Sequence, residues 1–240
     1  MDTKKLLHFL GISFGITWCL GWGAMAILGV SQRSVIGNVM HFYSGYAPLI
    51  AALVCLEDKS LTSICRFIFS AKKGSWTYLL LFSGLQFAVL ALSSREASGL
   101  VAPSLVPLLL IQSFFFFGGN EELGWRGTLQ PLLEKRYPFW LASLITGLVW
   151  GLWHFPLWFI AGSVQRLFPF YQFAIYAIVL SFVLGAIYRK TQSVFYCSLF
   201  HGWCNILFAY FLIKVNLELV LGLGLIVVLT LLLISKKETL

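Results

Sequence analysis

The stretch Phe114-Phe-Phe-Phe-Gly-Gly-Asn-Glu121-Glu122-Leu-Gly-Trp-Arg126-Gly127 sets two carboxylates directly behind four phenylalanines. Ionisable side chains at membrane depth are costly, turn toward a protein interior and mark function. The 240 residues contain only nine Asp and Glu, so two adjacent ones in an apolar run need a reason. The surrounding chain is 59% hydrophobic and 11% charged, whereas soluble domains carry about 25% charged residues. Such a chain could not cover a water-facing surface. It reads as all-α: a polytopic membrane helix bundle forming a single integral membrane domain over residues 1–240, with a motif-bearing core over 114–210.

A transmembrane helix needs ~20 apolar residues. Eight such runs are expected, at Leu6–Val30, Ile36–Leu56, Trp76–Ser93, Leu105–Gly127, Phe139–Ile160, Phe170–Tyr188, Val194–Ile213 and Leu217–Ile234. Basic residues favour cytoplasmic loops. With eight spans and both termini cytoplasmic, one side collects 13 of the 17 Lys and Arg, including Lys236 and Lys237. The other side holds Arg33, Arg95, Arg166 and Lys214, one in each loop. Topology thus accounts for the net charge of +8, and no basic stripe indicates nucleic acid. The expected location is the cell membrane, with lipids as neighbours. The first apolar run follows Lys4-Lys5 and reaches Ala24-Met-Ala26, as a signal peptide would, but its length and its Trp residues favour a retained helix.

The five cysteines form no close pair and read as small core thiols. Cys65-Arg-Phe-Ile-Phe69, in the polar connection 57–75, suits a short interfacial helix. Gly11 and Gly15 suit close helix packing. His8, His41 and Asn38 have no polar company in the sequence and read as structural. The phenylalanine run reads as lipid-facing or core filler.

Chemistry concentrates in three segments: Glu121–Arg126, Trp150-Gly-Leu-Trp-His154-Phe-Pro156 and His201-Gly-Trp-Cys-Asn205. Glu122 and Arg126 are four apart and share a helix face, which predicts an ion pair. Adjacent residues point about 100° apart, so Glu121 faces elsewhere. His201 and Asn205 also share a face. Counted at ~1.5 Å per residue from the nearest basic or proline boundary marks, Glu121, His154, His201 and Asn205 all fall ~17–24 Å in. Pro156 lacks a backbone donor and loosens the helix just beyond His154.

A carboxylate, two imidazoles and a carboxamide suit hydrolysis. A poorly solvated glutamate is a good base, and a histidine beside it can help to deprotonate water. A second His and an Asn can donate to an oxyanion. Two His and one Glu (Glu121, His154, His201) would also match a catalytic zinc set, although no close ligand pair such as H-E-x-x-H is present. The expectation is no cofactor, with zinc as the alternative. Axial haem ligation by His154 and His201 would leave Glu121 unexplained. A transporter would need a broken-helix symmetry that the chain lacks.

Glu-Glu-x-x-x-Arg, then aromatic-x-x-x-His, then His-x-x-x-Asn, in this order on successive helices, resembles the CAAX protease and bacteriocin-processing family of intramembrane endopeptidases. The strings Gly119–Gly127 and Trp150–Pro156 look like one common branch; Trp150 stands where Phe is frequent. The resemblance covers about residues 114–210. It implies a helical membrane fold whose site opens toward the cytoplasmic side. It implies Glu121 as general base with His154 on water, His201 and Asn205 on the oxyanion, and Glu122 and Arg126 in support. The implied partner is a peptide or protein substrate, lipidated or not: a prenylated C-terminus, a bacteriocin leader and a pheromone precursor all fit. The alternative is a non-catalytic immunity or regulatory protein that binds a peptide. The sequence leaves oligomeric state open.

Overall fold

The computed structural model describes residues 2–94, 96–116 and 118–235. The expectations for Arg95, Phe117, Lys236 and Lys237 lie outside these residues. The described residues are helical, joined by turns and loops; the sole β-type pairing among them is an isolated bridge between Ala97 and Phe211. Five helices are long and apolar enough to cross a membrane: Thr3–Leu28, Trp76–Ser93, Phe139–Phe159, Phe170–Thr191 and Leu217–Ser235. A sixth arises if the bent pair Pro103–Phe116 and Gly119–Glu134 is one span. The protein is therefore an all-helical, multi-pass membrane protein. Three of the eight expected runs take other forms, Leu105–Gly127 being the one that falls on the bent pair. Ile36–Leu56 becomes Val35–Gly45 and Ala47–Cys55, interrupted at Tyr46 just before Pro48, and the seventh run is the 17-residue helix Val194–Tyr210.

The chain divides into two compact units. The first joins the N-terminal residues up to Cys65 with Glu121–Ser181. Its opening helix starts where the Asp2 carboxylate accepts the Lys5 N–H at 3.0 Å, satisfying a donor that no helical carbonyl can reach. The helix passes through a π-helical turn at Gly15–Leu20, breaks at Gly21 and resumes as Trp22–Leu28. Thr3–Phe14 packs on Ala47–Cys55. Phe9, Trp125 and Trp153 are wholly buried, with Phe9 and Trp153 each edge-on to Trp125. In this unit Phe139–Trp153 stops where Pro156 would deprive its last turn of a donor, and a 3-10 turn, Phe155–Phe159, follows.

The second unit joins Arg66–Asn120 with the chain from Phe182 onward. Trp76–Ser93 packs on Val194–Tyr210 and Leu217–Ser235, and Val106–Phe116 packs on Val194–Tyr210. Leu90, Leu207, Phe211 and Leu219 form an apolar core here. Trp203 Nε1 donates to the Ser83 carbonyl at 3.1 Å, and Asn216 Nδ2 to the Ser93 carbonyl at 2.8 Å. Phe115 and Phe116 are about half exposed, as a lipid-facing run requires, while Phe114 sits against Phe195. The expected interfacial helix extends over Leu61–Phe69, and none of its residues is buried. Cys197 and Cys204 are core thiols as expected, whereas Cys19 and Cys65 are exposed.

Candidate active site

Helical type changes three times within sixteen residues around the glutamates. Gly119–Glu121 is 3-10, Glu122–Gly124 is α, Trp125–Leu129 is π, and Gln130–Glu134 is α again. π turns inside helices recur at functional sites, because they re-aim side chains at a cost in regular bonding. Here they send the two carboxylates apart, as the 100° spacing requires.

Glu122 and Arg126 are both 0% exposed, with Arg126 Nη1 3.2 Å from Glu122 Oε2. Arg126 Nη2 donates to Ser181 Oγ at 2.7 Å, and the guanidinium lies 5.0 Å from the centre of the Trp150 ring. Two buried charges are tolerable only when paired and hydrogen-bonded, which these are. Trp150 carries the arrangement onward, since its Nε1 donates to Glu121 Oε2 at 2.8 Å. Trp125 Nε1 donates to the same oxygen at 3.3 Å.

The other oxygen, Glu121 Oε1, lies 3.9 Å from His154 Nε2. That is too long for a direct hydrogen bond and short enough for one water to touch both. The histidine's tautomer follows from the helix end. The His154 N–H bonds the Gly151 carbonyl three residues back, so the Trp150 carbonyl loses its usual i+4 donor. The His154 ring takes that place, with Nδ1 at 3.0 Å from the Trp150 oxygen. A carbonyl only accepts, so Nδ1 carries a proton, and in the neutral ring Nε2, on the Glu121 side, is the acceptor nitrogen. Glu121 is 6% exposed and His154 8%.

His201 and Asn205 lie in the second unit. Both face Gly118: a Cβ built there would be 2.5 Å from His201 Nε2 and 2.8 Å from Asn205 Nδ2. Gly118 also has φ +87°, so both its conformation and its space exclude a side chain. Next to it, Ser198 Oγ donates to the Gly119 carbonyl at 2.6 Å. His201 is buried, while Asn205 is exposed. Among the described residues, no group of three or more His, Cys, Asp or Glu is placed to hold a metal ion.

Residues 102–207 match the family model described as type II CAAX prenyl endopeptidase Rce1-like. Over that segment, the chain is similar to the Rce1-like family. A "CAAX prenyl protease 2" of Methanococcus maripaludis is 46% identical over 63 residues, which are 26% of this chain and 21% of that protein. The matched stretch thus spans about a fifth of that relative's length. The Rce1-like segment contains Glu121, His154, His201 and Asn205. It does not contain Trp22 or His41, two rings that the structure places in the aromatic cluster around His154. His41, which reads as structural in the sequence, thus has company: its ring lies 5.5 Å from that of Trp22. No sequence signal marks these residues, because Trp22 meets His154 from more than a hundred positions away and His41 meets Trp22 from a separate helix. Trp125 and Gly118 also go unmarked as functional residues; Trp125 stands inside the first motif, and only its bond to Glu121 distinguishes it.

Proposed function

We propose that this protein is an intramembrane endopeptidase that hydrolyses a peptide bond with water activated by Glu121 and His154. The observation that carries the reading is the Glu121 carboxylate, held by two indole N–H groups and facing the His154 Nε2 nitrogen 3.9 Å away. The indole donors fix Oε2 and leave Oε1 directed at His154. A water between Oε1 and Nε2 loses a proton to the carboxylate as its oxygen attacks the substrate carbonyl. The same proton then passes to the departing amine as the peptide bond breaks, which restores Glu121. General-base catalysis of this kind is worth about 10²–10⁴ in rate. The family resemblance implies that His201 and Asn205 donate to the oxygen that becomes negative, a contribution of about 10²–10³ per donor. Glu122, Arg126 and Trp150 hold Glu121 in place.

The Rce1-like segment supports a protease, and the printed name of the relative supports a prenylated C-terminal peptide as the substrate to try first. We further place the protein in the cell membrane as one domain, with eight spans, cytoplasmic termini and a site reached from the cytoplasmic side. The alternating loop charge supports this topology. The chemistry is taken as metal-free, because the family resemblance favours a glutamate base.

The test uses purified full-length protein in nanodiscs, incubated with a farnesylated C-a-a-X peptide and read by mass spectrometry. The wild type should cleave it, and Glu121→Gln should lose at least about 10²-fold in rate while remaining folded. Full activity in that variant, or an intact peptide with the wild type, would overturn the reading. A peptide bound by the wild type but never cut would point instead to a binding protein.

A further inference from the structure

Rings of Trp150, Trp153, Phe173 and Trp22 stand around His154, the first three edge-on and Trp22 less steeply tilted. Trp150, Trp153 and Phe173 approach at interplanar angles of 69°, 87° and 60°, with centroids 5.9, 4.6 and 4.8 Å away. Trp22 is tilted by 32° at 5.5 Å, so it turns more of its ring face to the imidazole than these three do. The covalent bond at Cγ and the hydrogen bond from Nδ1 to the Trp150 carbonyl set the ring's orientation, and the rings packed around it resist its tilting away. We propose that Trp22 is a positioning residue for His154, its indole face holding the imidazole plane so that Nε2 stays directed at Glu121. This rests on the role given to His154 above, and it brings the N-terminal helices, which lie outside the Rce1-like segment, into the catalytic machinery.

Trp22 is itself firmly held. It is the first residue after the break at Gly21, and its backbone N–H donates to Ser44 Oγ at 3.1 Å. Ser44 is wholly buried and donates in turn to the Met40 carbonyl at 2.7 Å. A Cβ at position 21 would lie 1.8 Å from Ser44 Oγ and 3.2 Å from the Ile16 carbonyl oxygen, so the approach requires glycine. The indole packs on Trp153 at 4.6 Å, and Trp153 Nε1 is tied to Thr17 Oγ1 at 2.8 Å. The N-terminal helix is thus fastened to the end of the His154 helix on both sides of its break.

One further feature separates Trp22 from the other tryptophans of the cluster. Trp125 and Trp150 spend their indole N–H on Glu121, and Trp153 spends its own on Thr17. Trp22 is 3% exposed, and its Nε1 has no hydrogen-bond partner among the described residues. Its contribution to His154 therefore lies in the ring face and not in the N–H. Phenylalanine should substitute for it, and leucine should not.

The experiment compares wild type, Trp22→Phe and Trp22→Leu as full-length protein in nanodiscs, measuring kcat and KM on the farnesylated peptide. The same samples, labelled with [15N]histidine, give ring nitrogen spectra, with the His154 signals identified by their loss in His154→Gln. Misplacing a catalytic group by about 1 Å costs about 10²-fold. Trp22→Leu should therefore lower kcat by about 10–100-fold with KM little changed, and Trp22→Phe should stay within about threefold of the wild type. The His154 signals should shift or broaden in Trp22→Leu, those of His8 and His201 should not, and Trp22→Phe should resemble the wild type. Equal losses in both variants, or an unmoved His154 signal in Trp22→Leu, would overturn the proposal. Absence of cleavage by the wild type would fail the endopeptidase reading alone, because the histidine spectra decide the role of Trp22 without it.

Discussion

Arg126→Met removes one half of a fully buried ion pair, and the structure sets how much that should cost. The guanidinium donates to Glu122 Oε1 at 3.3 Å and to Ser181 Oγ at 2.7 Å, and it lies on the Trp150 ring. Methionine keeps much of the volume and none of the charge, so Glu122 is left ionised at 0% exposure without its cation. Breaking a buried pair from one side costs about 3–5 kcal/mol, mostly the penalty of the stranded charge. The opposite change, Glu122→Gln, leaves a carboxamide oxygen for Arg126 and keeps both Ser181 and the Trp150 face. It should cost about 1–3 kcal/mol, in the range of one charged hydrogen bond. In a chain of this length, 1 kcal/mol corresponds to about 2–4 °C in Tm. Thermal unfolding of purified protein in one detergent should therefore show Arg126→Met lower by about 6–20 °C and Glu122→Gln by about 2–12 °C. The double variant carries no stranded charge, so it should melt above Arg126→Met alone. A double variant that melts lower, by the full cost of both changes, would refute the view of the pair as mutually compensating charges.

Trp150→Phe keeps an aromatic ring for Arg126 but removes the 2.8 Å donor to Glu121, a loss of about 1.5–3 kcal/mol that should appear as roughly 10–100-fold in kcat with a small change in Tm. Gly118→Ala places a methyl where only 2.5 Å separates it from His201 Nε2, at a φ of +87°; cleavage should fall by about 10²-fold or more, and residual rates near wild type would remove His201 and Asn205 from the proposed oxyanion role. Dialysis against a chelator should leave cleavage within about twofold of the untreated sample, with metal content measured on the same preparation; a large loss restored by zinc would replace glutamate-only water activation.

Much of this organisation is legible in the sequence because membranes impose strong local rules. Apolar length and loop charge point to a helical multi-pass chain, and i,i+4 spacing pairs Glu122 with Arg126 while turning Glu121 aside. Pro156 marks the helix end that frees the Trp150 carbonyl for His154. The interrupted Val35–Gly45 and Ala47–Cys55 segment is less legible, since hydropathy averages over a single break at Tyr46. The π turn at Trp125–Leu129 is invisible to a 3.6-residue count, yet it belongs to the segment that presents Trp125 to Glu121. Trp22 and His41 are the largest omission. Each looks like an ordinary residue of an apolar helix, and only tertiary folding brings Trp22 against His154 and His41 against Trp22.

The central claim is that Glu121 and His154 act together on one water. Single-turnover cleavage by Glu121→Gln, His154→Gln and the double variant tests it most directly. Residues that act as a unit lose their effect once, so the double variant should be no slower than the slower single. Losses that multiply in the double variant, or a single variant that cleaves at the wild-type rate, would contradict the account.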